Sequence, residues 1–312
     1  MENLIIATNA VVPFMVYILI GMIANKTGLV KESFLRELNG VIFRVFFPFI
    51  MFNNLYKADF STMSGASYVL FAIVATTAVA ALAFFLVPVF VKDNKRRGVI
   101  SMDIFRSNSV LFALPLAANV LGDEASAKAS ILVAFLVPMY NIFSVIVLEY
   151  YRGGKVSASV ITKNILKNPL IVGAIAGAIF NMLPITMPQA LANPIAQLSG
   201  LATPMALFVL GGTLKFSNLK KNALAITAVT TTKLIVVPAI IAFIMAQLHY
   251  GPVEFFSVFA MFATSVAAAS FPMAQSMDAD ADLAGEIVVV TTLCSIVTIF
   301  TWIIVLKNFG LI

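Results

Sequence analysis

Charge is scarce in this chain: 11% of its 312 residues are Asp, Glu, Lys or Arg, against 61% that are hydrophobic. A soluble domain carries roughly a quarter charged residues. A fold this apolar cannot cover its surface with polar groups, so the excess must face lipid or other helices. Cys294 is the one cysteine, which excludes an intramolecular disulfide and a thiolate metal site, and His249 is the one histidine. No P-loop, nucleotide-binding or metalloprotease signature occurs. The residues therefore predict no enzyme, no cofactor and no metal. A cleavable signal is not read either: Glu2 stands where basic residues belong, and Pro13 interrupts the apolar stretch.

What is abundant is long apolar runs. A hydrocarbon core of about 30 Å takes roughly 20 helical residues, and backbone amides in lipid need internal partners, so the runs must be helices. They predict an all-α membrane protein of ten transmembrane helices at about 4–24, 39–57, 66–91, 102–121, 130–150, 169–187, 190–214, 223–247, 254–275 and 286–306. The sixth is short and ends near Pro184 and Pro188.

The charges orient these spans. Connections after odd-numbered spans hold fourteen basic residues, among them Lys26, Lys31, Arg36, Lys92, Lys95, Arg152, Lys155, Lys215 and Lys221. The opposite side holds Lys57, Lys128 and Lys307. The positive-inside rule then puts the odd connections in the cytoplasm and both termini outside, as for a multi-pass protein of the cell inner (plasma) membrane. The net charge of +6 is a consequence of topology, with anionic headgroups of the lipid bilayer as its partner rather than nucleic acid.

The chain also repeats. Pro13, Gly21, Asn25 and Pro48 recur as Pro169, Gly177, Asn181 and Pro204, all 156 residues later. With one residue inserted, Pro115 matches Pro272 and Asp123 matches Asp280. Residues 1–151 form a first five-helix repeat, 152–168 a cytoplasmic linker and 169–312 a second repeat. Five is odd, so the second repeat must be inverted, an arrangement typical of carriers working by alternating access.

Arg44, Arg106 and Lys233 are the basic residues inside spans, and no acidic residue sits mid-span; Asp103 and Glu149 lie near ends. Charge at a helix centre costs about 2.5–3.5 kcal/mol. A surplus of positive charge suits an anionic solute. Arg44 and Arg106 lie near cytoplasmic ends and can snorkel to the interface, and Asp103, one turn before Arg106, can pair with it. Lys233, among Thr230, Thr231 and Thr232, lies too deep for that. Pro115 and Pro272 fall midway through the fourth and ninth spans, where a proline removes a hydrogen bond and breaks the helix. Broken helices at matching positions mark a midplane site. Polar residues gather there: Ser107, Asn108, Ser109 and Asn119 on one span, Thr264, Ser265, Ser270, Gln275 and Ser276 on the other. Gly173 and Gly177 offer a small-xxx-small face, for a contact inside the protomer or for a homodimer. Asn53 and Asn54 are placed at the outer interface.

The run FRSNSVLFALPL, the stretches KNPLIVGAIAGAIFNMLPI and LATPMALFVLGGTL, and KLIVVPAI, in this order, resemble the auxin efflux carrier family, which includes bacterial malate and malonate permeases. The resemblance covers nearly the whole chain. It implies a five-plus-five inverted fold with scaffold and transport subdomains, whose fourth and ninth helices cross at their breaks. It also implies substrate contacts by Asn108 and around Pro115 and Pro272. The chain departs from the pattern at Val110, Ser265 and Ala269. The combined expectation is a secondary transporter of a small organic anion, a dicarboxylate such as malate or malonate, with Arg106, Asn108, Ser109, Pro115, Lys233, Ser270 and Pro272 at the site. An auxin-like monocarboxylate carrier and an anion channel of the same fold stay open.

Overall fold

The computed structural model of the chain describes residues 2–57, 67–152, 158–183, 185–214 and 219–312; Lys155, Pro184 and Lys215 lie outside them. α1 (Glu2–Lys26) precedes α2 (Glu32–Val41) and α3 (Phe47–Tyr56), which a π-helical turn at Ile42–Phe46 joins into one bent rod. α4 (Ser67–Phe90) leads to α5 (Asn94–Phe105), a break, a second π turn at Ser109–Ala113 and the long α6 (Leu114–Tyr151). The linker carries a short helix, α7 (Ala158–Leu166). α8 (Pro169–Met182) and α9 (Gln189–Thr213) follow, then α10 (Leu219–Thr231) and α11 (Val237–Gln247) about a third π turn at Thr232–Val236. α12 (Pro252–Ala263), α13 (Ser270–Ser276) and α14 (Ala281–Asn308) close the series. Among the described residues, six helical rods are long and apolar enough to cross a membrane: Glu32–Tyr56, Ser67–Phe90, Ser109–Tyr151, Gln189–Thr213, Leu219–Gln247 and Ala281–Asn308. Val12–Lys26, Pro169–Met182 and Pro252–Ala263 are shorter apolar helices. The protein is all-helical and multi-pass.

Each π turn ends two residues before a proline, namely Pro48, Pro115 and Pro238. A proline ring collides with the carbonyl four residues back, and the wider π turn gives that carbonyl room. Proline also leaves that carbonyl without its helical donor. Pro238 frees the Leu234 oxygen, which accepts from Trp302 Nε1 at 2.9 Å, and Pro88 frees the Phe84 oxygen, which accepts from the Tyr151 hydroxyl at 2.9 Å. Neighbouring helices thus satisfy backbone groups that lipid cannot.

Glycines set the closest helix contacts. On α8, Gly173 lies against the Pro48 backbone of α3, and a methyl on Gly177 would lie 2.5 Å from the Phe52 oxygen and 2.9 Å from its Cα. The small-xxx-small face is therefore consumed inside the protomer. Gly21 on α1 meets the Phe208 backbone of α9 in the same way. The two contacts exchange under the 156-residue offset, since Gly21 corresponds to Gly177 and Phe52 to Phe208.

Ion pairs tie connections predicted to share a side. Lys95, in the first turn of α5, bonds Asp278, after α13, at 2.7 Å. The ammonium holds the exposed Asp278 carboxyl below its ordinary range, first by that hydrogen bond and then by its charge. At the other end Lys128 pairs with Glu254 and, at 3.3 Å, with Glu124.

Two boundaries differ from the sequence reading. The fourth span begins at Asn94 rather than near 102, because Lys95, Arg96 and Arg97 sit in the first turn of α5, capped by the Asp93 side chain. The fourth and fifth spans also run together as α6, with the turn between them absorbed at Gly122 (φ 78°, ψ −162°). A side chain there would be strained, which is why glycine holds the bend.

Candidate functional site

Two helices break beside each other. α5 ends at Phe105, and Arg106 takes an extended conformation (φ −81°, ψ 109°). α12 ends at Ala263, and Thr264 is likewise extended (φ −84°, ψ 164°). The extended segments meet antiparallel in a single bridge between Ser107 and Val266, where the Asn108 N–H donates to the Ser265 oxygen at 2.9 Å. The one-residue insertion makes the offset 157 here, so Asn108 and Ser265 are each other's counterparts.

The prolines are not where the helices break. Pro115 lies six residues into the rod that opens at Ser109, where the π turn accommodates its ring, and Pro272 is the third residue of α13. In that first turn Pro272 loses no intrahelical hydrogen bond. Pro115 is half-buried and away from the cavity, while the Pro272 oxygen accepts weakly from Asn39 Nδ2 at 3.4 Å.

A cavity of about 460 Å³ opens at the first break. Arg106, Ser107, Asn108 and Ser109 form one wall, with Ala267, Ala268 and Ala269 of the second break beside them. Tyr17 of α1, Asn53 and Asn54 of α3, and Ser199 and Thr203 of α9 face them. Asn53 and Asn54, assigned to the outer interface from sequence, line the cavity.

Arg106 does not snorkel. It is 4% exposed, and its Nη1 donates to Ser144 Oγ at 2.9 Å and the Tyr140 oxygen at 3.3 Å. Nη2 donates to Asn141 Oδ1 at 2.7 Å. All three acceptors are neutral and come from α6. Among the described residues no acid forms an ion pair with Arg106, so the expected Asp103 pairing is not made. Arg44, by contrast, is exposed. Lys233 is fully buried in the third π turn, and its ammonium bonds the Ser107 hydroxyl, one residue behind the cavity surface. Ser270 is buried at the start of α13, on the side of Asp103. Of the seven expected residues, Arg106, Asn108 and Ser109 line the cavity, Lys233 supports it through Ser107, and Ser270, Pro115 and Pro272 stand outside it. Asn119 is exposed.

Sequence reasoning also missed buried acids. Asp103 and Glu286 are both fully enclosed, because α5 and α14 start earlier than the apolar runs suggest. Glu286 accepts from Asn222 Nδ2 at 2.6 Å.

The polar groups of the two walls together make a donor surface. Arg106 Nε, Asn108 Nδ2 and Asn54 Nδ2 are buried donors without acceptors, and the Ser109 hydroxyl is also unpartnered. A buried unmade hydrogen bond costs about 1–3 kcal/mol. Ser109, Val110 and Leu111 open the helix here, and the positive end of a helix adds to the same field.

A multi-pass helical protein with broken, paired helices beside a largely apolar cavity that carries a few polar groups has the build of a membrane transporter. The chain belongs to the Membrane transport protein family, that of the auxin efflux carriers, which it matches over residues 6–303. It is 26% identical over 309 residues to an uncharacterized transporter of Methanothermobacter thermautotrophicus, covering 96% of this chain and 98% of that one. The family is one of transporters, not enzymes.

Proposed function

We propose that the protein is a secondary transporter of a small organic anion, with a dicarboxylate such as malate or malonate favoured, and that it binds the anion at the 460 Å³ cavity. The carrying observation is the set of unpartnered donors around the cavity: Arg106 Nε, Asn108 Nδ2 and the Ser109 hydroxyl on one wall and Asn54 Nδ2 on the other. An anion supplies acceptors to all of them. Charge-assisted hydrogen bonds are worth about 1.5–3 kcal/mol each, and the planar guanidinium suits a carboxylate. Lys233 adds positive charge behind Ser107.

The reading includes ten spans in two inverted five-helix repeats, with both termini outside the plasma membrane. It is supported by the basic residues of the odd connections and by the exchanged glycine contacts, Gly21 on Phe208 and Gly177 on Phe52. Alternating access follows if the two broken helices, tied at Asn108 and Ser265, shift as one body against α1, α3 and α9, which form the opposite wall. Asn53, Asn54 and Tyr17 then release the solute from one side while Arg106 keeps it.

The test is uptake into proteoliposomes of labelled malate, malonate and indole acetate. Saturable accumulation of a dicarboxylate is expected. If no organic anion accumulates and neutral solutes do, the anion reading fails; large unitary currents without saturation would make the protein a channel.

A further inference from the structure

Asp103 is a buried ionisable group that the carrier reading leaves unused. It lies in the last turn of α5, fully buried, and neither carboxylate oxygen has a hydrogen-bond partner. Two cations act on it, Arg106 from just beyond its own helix and Lys233 from the turn between α10 and α11, and the Ser270 hydroxyl of α13 lies beside it. The other ionisable groups on the elements around it are engaged elsewhere. Glu286 of α14 accepts from Asn222, and Glu149 of α6 accepts from Asn164 and pairs with Arg152. Tyr140 of α6 faces Arg106 and Ser107, and Tyr68 of α4 lies by Lys128.

The charge count is simple. Arg106, Lys233 and Asp103, all ionised, leave the buried set one unit positive. A monocarboxylate makes it neutral. A dicarboxylate leaves it one unit negative, and uncompensated charge in a low-dielectric interior is costly. A proton on Asp103 restores neutrality, and its unpartnered oxygens are free to take one. Ser107 lines the cavity and is bonded to Lys233, so a polar contact leads from the cavity toward the carboxylate.

We infer that Asp103 is a proton-binding site of the carrier, taking up one proton as a dicarboxylate enters the cavity, so that solute and proton load together. The step is a relay: the Lys233 ammonium gives a proton to a carboxylate oxygen and regains one through the Ser107 hydroxyl from a hydronium ion in the cavity, which leaves as water. The inference rests on the organic-anion reading above. By reciprocity of linked binding, dicarboxylate affinity then rises about tenfold for each unit fall in pH, and monocarboxylate affinity does not.

The test is calorimetric titration of the detergent-solubilised full chain with malonate and with acetate, in two buffers of different ionisation enthalpy, at a pH where malonate is doubly charged. About one proton taken up per malonate and none per acetate is the expected count. Asp103→Asn, whose side chain stays neutral, should bind malonate with no net proton uptake. Malonate binding without proton uptake in the wild-type protein overturns the inference but leaves the carrier reading standing, as does uptake that persists in Asp103→Asn. Binding of neither anion overturns the carrier reading and this inference with it. The wild-type count decides the matter even if Asp103→Asn does not fold.

Discussion

A single methyl group separates two opposite outcomes on neighbouring helices. In Gly177→Ala the new Cβ would lie 2.5 Å from the Phe52 oxygen, 2.9 Å from its Cα and 3.0 Å from its carbonyl carbon. All three are backbone atoms of α3, which cannot rotate out of the way. Ordinary carbon–oxygen contacts are about 3.3 Å or longer, so α3 and α8 must part by nearly 1 Å. Interiors packed at crystal density transmit such a shift rather than absorb it, and overpacking of this kind costs about 1–3 kcal/mol. Against it stands the helix-propensity gain of alanine over glycine, up to about 1 kcal/mol. The net expectation for Gly177→Ala is a loss of about 1–2 kcal/mol. Gly200 on α9 has nothing within 4 Å of its would-be Cβ, so Gly200→Ala keeps the gain without the clash. Thermal unfolding in one detergent, followed by circular dichroism, should place Gly177→Ala below wild type and Gly200→Ala at or above it. A Gly177→Ala protein as stable as wild type would show that glycine does not set the α3–α8 spacing.

Other perturbations separate the site from its surroundings. Lys233→Ala should lower anion uptake by about tenfold or more, the scale of one charge-assisted hydrogen bond, while Arg44→Ala at equal expression stays near wild type; equal activity of both would remove the charge argument. Arg106→Lys should also impair uptake strongly, because one ammonium cannot replace a planar fork held by Ser144, Asn141 and the Tyr140 carbonyl. Full activity in that variant would mean the guanidinium serves packing alone. His249 has φ 54° after α11, a conformation costing non-glycine residues about 1–2 kcal/mol; His249→Gly should therefore raise the melting temperature, and a lower one would refute the strain. Trp302→Phe leaves the Leu234 carbonyl without its donor and should destabilise by about 1–3 kcal/mol, read as a fall in melting temperature.

Apolar runs were enough to find an all-helical, multi-pass chain, because lipid imposes it. The 156-residue offset has a counterpart in packing, since Gly21 and Gly177 each meet a phenylalanine backbone, that of Phe208 and of Phe52. The site was read less well, and the reasons are physical. Pro115 and Pro272 advertised the breaks, but proline is tolerated at a helix start as readily as it disrupts a helix middle, and the breaks lie several residues earlier. Hydropathy placed the start of the fourth span after the basic cluster, so Asp103 and Arg106 seemed peripheral; Lys95, Arg96 and Arg97 are instead the first turn of the same helix. Asn53 and Asn54 looked interfacial because nothing local in sequence reports which way a bent rod points.

The donors that cover the two proline-freed carbonyls come from later in the chain. Phe84 waits for Tyr151, and Leu234 waits for Trp302, 67 and 68 residues downstream. During synthesis the earlier rod therefore enters the bilayer with an uncovered oxygen, which an interfacial position or a transient water must satisfy. The Leu234 carbonyl thus gains its protein donor only when the last helix packs beside the α10–α11 rod, so this stretch of backbone is complete only in the fully assembled bundle.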